Sequence, residues 1–206
     1  METKEELWKR INDNSIYFLC QDQWGSTKCI GHYTKRGEFT AFFSWAIPSC
    51  AAINKIKEFA NGDTILEIGA GLGLWAKLLE LEGAKIIATE PRSDGYKHNK
   101  LDDSYYYFNC HKLNYIESLD KFKDLNILML CWPPYDTEMA FNTLEKFTGN
   151  KFIYVGEING CNATDSFFSL LDKEWKEIDD IEIPQWWGIH DVVKLYERLE
   201  EECIKK

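Results

Sequence analysis

Residues 63–91 read DTILEIGAGLGLWAKLLELEGAKIIATEP, and this stretch decides the fold. Thr64–Ile68 is an apolar run with two β-branched isoleucines, the length of one buried strand. Three glycines, Gly69, Gly71 and Gly73, crowd the turn after it. Leu74, Leu78, Leu79 and Leu81 then recur at roughly helical spacing, with Gly83 as a stop. Lys85–Thr89 is a second apolar run, and Glu90 stands where it ends. Strand, glycine turn, helix, strand and acid form one βαβ unit. The glycines let backbone approach a ligand that a β-carbon would block, and the helix amino end offers free N–H groups. Glu90 is placed to accept hydrogen bonds from a ribose diol, so the unit predicts a nucleotide-like cofactor.

The glycine spacing, G-x-G-x-G behind Glu67, resembles motif I of the class I methyltransferases that use S-adenosylmethionine (SAM). In that family an acid precedes the first glycine by two residues, as Glu67 does here. Dinucleotide-binding Rossmann domains more often begin with glycine directly after the strand, which disfavours an NAD-dependent oxidoreductase. A tight βα turn without any ligand would explain the glycines but not their coincidence with Glu67 and Glu90. The resemblance implies that Glu67, Gly69, Ala70, Gly71, Gly73 and Glu90 hold the cofactor, with Cys131 and Asn109 beside them. The family has an acid reading the adenine amino group after its third strand. This chain offers Asn109 there, whose amide oxygen accepts the same bond.

Downstream, the chain alternates strand and helix patterns. A short helix is expected at Asp94–Leu101, a third strand at Ser104–Phe108, a fourth at Asn126–Leu130 and a fifth at Phe152–Val155. Helices are expected at Thr137–Phe147 and Asp165–Asp172, and further strands at Trp175–Ile183 and Val192–Glu197. Only Pro184 to Asp191 separates those last two strands, too few residues for a helical crossover, so they pair antiparallel. The expected architecture is α/β: a doubly wound seven-stranded sheet with an antiparallel last strand, helices on both faces and an N-terminal extension. Residues 1–44 form that extension within the same domain, and 45–206 form the methyltransferase domain that the resemblance implies. Upstream of the βα unit, residues 1–15 read as a short polar helix or arm. Gly25, Gly31 and Gly37 break the aromatic stretch Ile16–Phe43 into short pieces, and a helix follows from Pro48 to Ala60.

In open α/β sheets ligands bind at the carboxyl ends of the parallel strands, where this chain gathers its unusual loops. Trp132-Pro133-Pro134-Tyr135 is similar to the (Asn/Asp)-Pro-Pro-(Tyr/Phe) motif IV of amino-methylating family members. There the Asn or Asp and a proline carbonyl accept from a planar –NH₂ and the aromatic residue stacks on the substrate. The acceptor position here is Trp132, and an indole only donates. It stacks on a flat substrate or encloses a methylated cation instead. Trp132, Pro133, Pro134 and Tyr135 are therefore catalytic candidates, together with His190, whose imidazole is a candidate base beside Asp191. Trp45, Glu157, Trp186 and Trp187 are candidate substrate contacts. The family often lays a segment like Trp45–Ser49 over the methionine end of SAM. More narrowly, the chain is similar to a small group combining W-P-P-Y with I-P-Q-W…G-I-H-D, which brings no substrate with it.

Composition bounds these readings. The 206 residues suit one domain, and 8 Trp, 10 Tyr and 12 Phe supply rings for a pocket as well as a core. A net charge of −10 without a long basic run argues against broad nucleic-acid binding. The seven cysteines are odd in number and lack any C-x-x-C pair, which predicts reduced thiols, no structural metal and a cytoplasmic setting. No apolar run is long enough for a membrane span. The expected function is methyl transfer from SAM to nitrogen or oxygen of a planar acceptor, whether small molecule, nucleobase or protein side chain. A SAM-binding module without turnover, acting as a subunit or regulator, is the alternative. The sequence specifies no oligomeric state.

Overall fold

Thr64–Ile68 is buried on both faces from Ile65 onward, and most of the molecule is arranged to cover those two faces. The computed structural model describes residues 2–14, 29–30, 33–91 and 106–200. In chain order the elements are α1 (Lys4–Asn14), β1 (Cys29–Ile30), α2 (Tyr33–Phe42), α3 (Cys50–Ala60), β2 (Thr64–Ile68), α4 (Leu74–Leu81), β3 (Lys85–Thr89) and α5 (Tyr115–Lys121). They continue with β4 (Ile127–Cys131), α6 (Met139–Lys146), β5 (Lys151–Gly156), α7 (Asp165–Glu174), β6 (Trp175–Glu182), β7 (Gln185–Trp186) and β8 (Val192–Arg198).

Six strands form one mixed sheet in the order β3-β2-β4-β5-β8-β6, and β1 and β7 make a separate short parallel pair. The first four strands of that order run parallel, while β8 lies antiparallel to both β5 and β6. The antiparallel ending follows from the short β6–β8 connection, as expected. Side chains alternate across the strands. Ile65, Met129, Ile153, Val155 and Val193 pack with Leu7 and Ile11 of α1, Ile53 and Ile56 of α3, and Trp75 and Leu78 of α4. Leu66, Leu128, Phe152, Tyr154 and Tyr196 pack on the other face with Leu144 of α6 and Phe167 and Leu171 of α7. Both faces are thus covered.

Several element ends have local causes. Ser49 caps α3 by accepting from the Ala52 N–H, and Asn61 closes it in the left-handed conformation. Asn114 and Glu117 form a capping box on α5, a helix the periodicity did not predict. Thr164 caps α7.

The sheet departs from expectation at one edge. Among the described residues it has six strands, not seven. Ser104 and Tyr105 of the expected third strand, and the helix expected at Asp94–Leu101, lie outside the described residues. Tyr106–Phe108 is described and is not strand. The Tyr107 N–H donates to the Leu72 carbonyl, the Tyr107 hydroxyl donates to the Phe42 carbonyl, and Arg10 donates to that hydroxyl. Those bonds draw the segment over the glycine turn rather than along β3, whose edge is met by a single bridge between Thr89 and His111. Gly37 is a second correction: it lies inside α2 and does not break the chain. Phe39 and Phe43 on either side of α2's end are buried with α1 and α3, and that burial outweighs the low helix propensity of glycine.

Candidate functional site

The turn after β2 is held by the end of β3. Gly69 and Ala70 both donate to the Thr89 carbonyl, and the Gly71 N–H donates to Glu90 Oε2 at 2.9 Å. Gly71 has φ +56 and Gly73 has φ +76, backbone that side chains rarely adopt. The two glycines differ in their surroundings. A Cβ on Gly73 would come within 2.7 Å of Phe108 Cβ, whereas one on Gly71 would meet nothing within 4 Å. Gly73 makes room for the protein itself, and Gly71 leaves an open backbone face.

Glu67 points from β2 to the same face as Ile65 and is fully buried. Neither carboxyl oxygen has a hydrogen-bond partner. Burial, reinforced by the neighbouring Glu90 charge, pushes its pKa up to about 8; the Ala76 backbone amide opposes the rise from nearby but does not reach hydrogen-bond geometry. Across the sheet, Cys131 closes β4. Its thiol is pushed well above the ordinary range by burial and by the charges of Glu67 and Asp191, against the Ala46 backbone amide. Cys131 therefore lies within electrostatic reach of both acids.

After β4 the backbone folds sharply. Trp132 has φ +49, a conformation costly for a bulky residue, and its N–H donates to the Val155 carbonyl. The Trp132 indole stacks on Trp45, with ring centroids 5.3 Å apart and planes at 23°. The Arg36 guanidinium of α2 lies over both rings, 4.6 Å from the Trp132 centroid and 5.0 Å from that of Trp45. The Trp132 indole Nε1–H donates to Asp191 Oδ1 at 2.7 Å. Asp191 is fully buried. Burial raises its pKa to about 7, the Trp132 bond opposes, the Glu157 charge adds to the rise and Arg36 opposes it. Asp191 Oδ2, Arg36 Nε and Arg36 Nη2 are buried without hydrogen-bond partners.

The remaining candidates separate into two groups. The Pro133 carbonyl accepts from the Ala163 N–H, an internal bond at the atom that motif IV offers to substrate. Glu157 is buried, and its carboxylate accepts from the His190 and Cys161 backbone N–H groups. Tyr154 donates its hydroxyl to the Glu157 carbonyl and accepts from Asn162, so this loop is braced from within. Trp186 is buried, edge-on to Phe39. Tyr135 and Trp187, by contrast, are 67% and 61% exposed, and Asn109 and His190 are also exposed. Pro134 is half-buried. His190 and Asp191 point to opposite sides, and Asp191 bonds Trp132 instead.

The fold thus brings together Trp45, Glu67, Cys131 and Trp132. It adds Arg36 and Asp191 to that centre, two residues that spacing alone did not single out as site residues. Asp191 carries a readable signal, since it shares strand parity with the buried Val193 and Leu195. Among the described residues no group of three or more His, Cys, Asp or Glu side chains is placed to hold a metal. No helix among them is long and apolar enough to cross a membrane.

No protein-family model and no curated protein matches the chain. Solved structures do. The chain is similar to the Burkholderia thailandensis 1,6-didemethyltoxoflavin-N1-methyltransferase, solved with 1,6-didemethyltoxoflavin and S-adenosylhomocysteine. The TM-score is 0.51 at 14% identity, over 73% of this chain and 78% of that one. It is also similar to MtNAS in complex with MTA and tNA, with a TM-score of 0.50 at 12% identity, over 82% of this chain and 66% of that one. Likeness at these identities is likeness of fold.

Proposed function

We propose that the chain is a SAM-dependent methyltransferase acting on nitrogen or oxygen of a planar acceptor. The observation that carries the reading is Glu67: a buried carboxyl with two unpartnered oxygens, behind a glycine turn whose Gly71 backbone is open. A buried polar group without a partner costs roughly 1–3 kcal/mol, and a ligand ammonium would relieve that cost. SAM carries such a group at its methionine end, so the residues fit it. In this reading Gly69, Ala70, Gly71 and Gly73 form the backbone cradle, Glu90 receives ribose hydroxyls beside its bond to Gly71, and Cys131 borders the methionine end. Asn109 reads the adenine. When bound, SAM supplies an electrophilic methyl carbon. The protein's task is then to align the acceptor atom with it. The ligands named with the two similar folds, S-adenosylhomocysteine and MTA, support the same cofactor class.

On the acceptor side, Trp45 and Trp132 present flat faces, Pro133, Pro134 and Tyr135 border them, and Trp186, Trp187 and Glu157 shape and hold the neighbouring loops. His190 is the exposed base at this edge. The described parts of α1 and α2 belong to the same folding unit as the rest, because Leu7, Ile11, Phe39 and Phe43 share a buried cluster with α3 and α4. Calorimetry with SAM, S-adenosylhomocysteine and NAD tests the cofactor. Binding of NAD with refusal of both SAM species would overturn the reading. Labelled SAM incubated with fractionated cell extract tests turnover: label entering one fraction supports the enzyme, and silence in all of them supports a binding module.

A further inference from the structure

Arg36 and Asp191 sit at one place and do not complete each other. The guanidinium lies against two indoles, close enough to Asp191 to act on its charge, yet its Nε and Nη2 bond nothing. Asp191 spends Oδ1 on Trp132 and leaves Oδ2 buried and bare. A structural ion pair in an apolar setting closes through hydrogen bonds, because unmade ones are costly there. Here two donors and one acceptor stay unmade beside a flat aromatic wall. A ligand that satisfies all three carries an acceptor group for the guanidinium, an N–H or O–H for Asp191 Oδ2, and a planar ring for Trp45 and Trp132.

We propose that Arg36, Asp191, Trp45 and Trp132 form the acceptor site, and that its substrates are flat aromatic acids bearing an N–H or O–H beside the carboxylate. This rests on the methyltransferase reading and gives it a substrate class. Asp191 supplies from the end of the β7–β8 loop the acceptor atom that Trp132 cannot supply after β4. Trp132 contributes by fixing which carboxyl oxygen is left over. Arg36 is the selective element, since its planar fork matches a carboxylate through two parallel bonds. Because Arg36 already places a positive charge beside both indoles, a flat cation is repelled there while a carboxylate is attracted, so aromatic cations are excluded.

The test uses 2-aminobenzoate, whose own fluorescence anisotropy reports binding without turnover, against benzoate, aniline and benzamidine as calorimetric controls. Benzoate lacks the N–H, aniline lacks the carboxylate and benzamidine reverses the charge. On the intact protein 2-aminobenzoate should bind at least about tenfold more tightly than any of them. Asp191→Asn has one amide oxygen, which Trp132 occupies, so an –NH₂ then faces the ligand's N–H. This variant should lose about tenfold for 2-aminobenzoate and little for benzoate. Arg36→Met should lose about tenfold for both. The wild-type comparison of four probes stands even if a variant fails to fold. Equal binding of 2-aminobenzoate and benzoate, binding of benzamidine, or no binding of 2-aminobenzoate would overturn the proposal. S-adenosylhomocysteine is titrated in parallel: its binding without 2-aminobenzoate sinks the acceptor site alone, and its failure sinks the cofactor reading.

Discussion

The Trp132 indole N–H and Asp191 Oδ1 meet at 2.7 Å, joining residues 59 apart in sequence across the carboxyl edge of the sheet. The bond ties a strained backbone position to a buried acid. It favours the ionised carboxylate, against the burial that disfavours it.

Trp132→Phe keeps the ring against Trp45 and removes the donor. The Asp191 carboxyl is then left with neither oxygen partnered, at a cost of roughly 1–3 kcal/mol. Loss of a bond that favours the ionised form raises the Asp191 pKa further. The destabilisation is therefore larger at high pH than at low pH, and urea denaturation on both sides of neutrality measures it. A loss independent of pH would assign the effect to packing.

Asp191 and Glu67 are acids whose folded values, about 7 and about 8, lie above their ordinary 3.8 and 4.5. The folded protein retains protons that the unfolded chain releases, so these two groups destabilise it as pH rises from their unfolded values through their folded ones. Between about pH 5.5 and about pH 8.5, Glu67 accounts for on the order of 3 kcal/mol of lost stability. Glu67→Gln should flatten the decline, and S-adenosylhomocysteine should raise the melting temperature most at the alkaline end. A stability profile that rises over this range in the wild type, or is unaltered in Glu67→Gln, would contradict the assignment.

Gly71→Ala and Gly73→Ala should fail in different ways. Alanine at 73 collides with Phe108 and unsettles the fold. Alanine at 71 clashes with nothing and costs about 1 kcal/mol of backbone strain. Gly71→Ala should fold and lose affinity for S-adenosylhomocysteine, whereas Gly73→Ala should lose several degrees of melting temperature first. Circular dichroism melts beside calorimetry distinguish them.

His190 bonds Glu157 through its backbone, which a side-chain replacement leaves in place. His190→Asn should therefore retain the fold and cofactor affinity and lower turnover by at least about tenfold. Undiminished turnover in the labelled-SAM assay removes the imidazole from the mechanism.

Much of the frame was legible because its signals are local. Thr64–Ile68 and Lys85–Thr89 are apolar runs bounded by turn residues, and both coincide with β2 and β3. The antiparallel pairing of β6 and β8 followed from the length of Pro184–Asp191 alone. What escaped depends on distant partners. The tyrosine run near Phe108 has strand propensity, but Tyr107 is held by Arg10 and Phe42, 97 and 65 residues away. Arg36 lies in an aromatic stretch without periodicity, and its position over Trp45 and Trp132 exists only after the sheet has formed. Trp132 was legible as a departure from motif IV, while its hydrogen bond to Asp191 was not.

The placement of β8 has a consequence for synthesis. Among the described residues it is the last strand of the sheet in sequence, yet it lies between β5 and β6, and β6 pairs within the sheet with no other described strand. On a ribosome, β5 shows an open edge and β6 stays unpaired until residues 192–198 emerge. Asp191 arrives in the same few residues. A nascent chain therefore gains its completed sheet and its buried acid together, and stalling just before that point leaves a template for pairing with other chains.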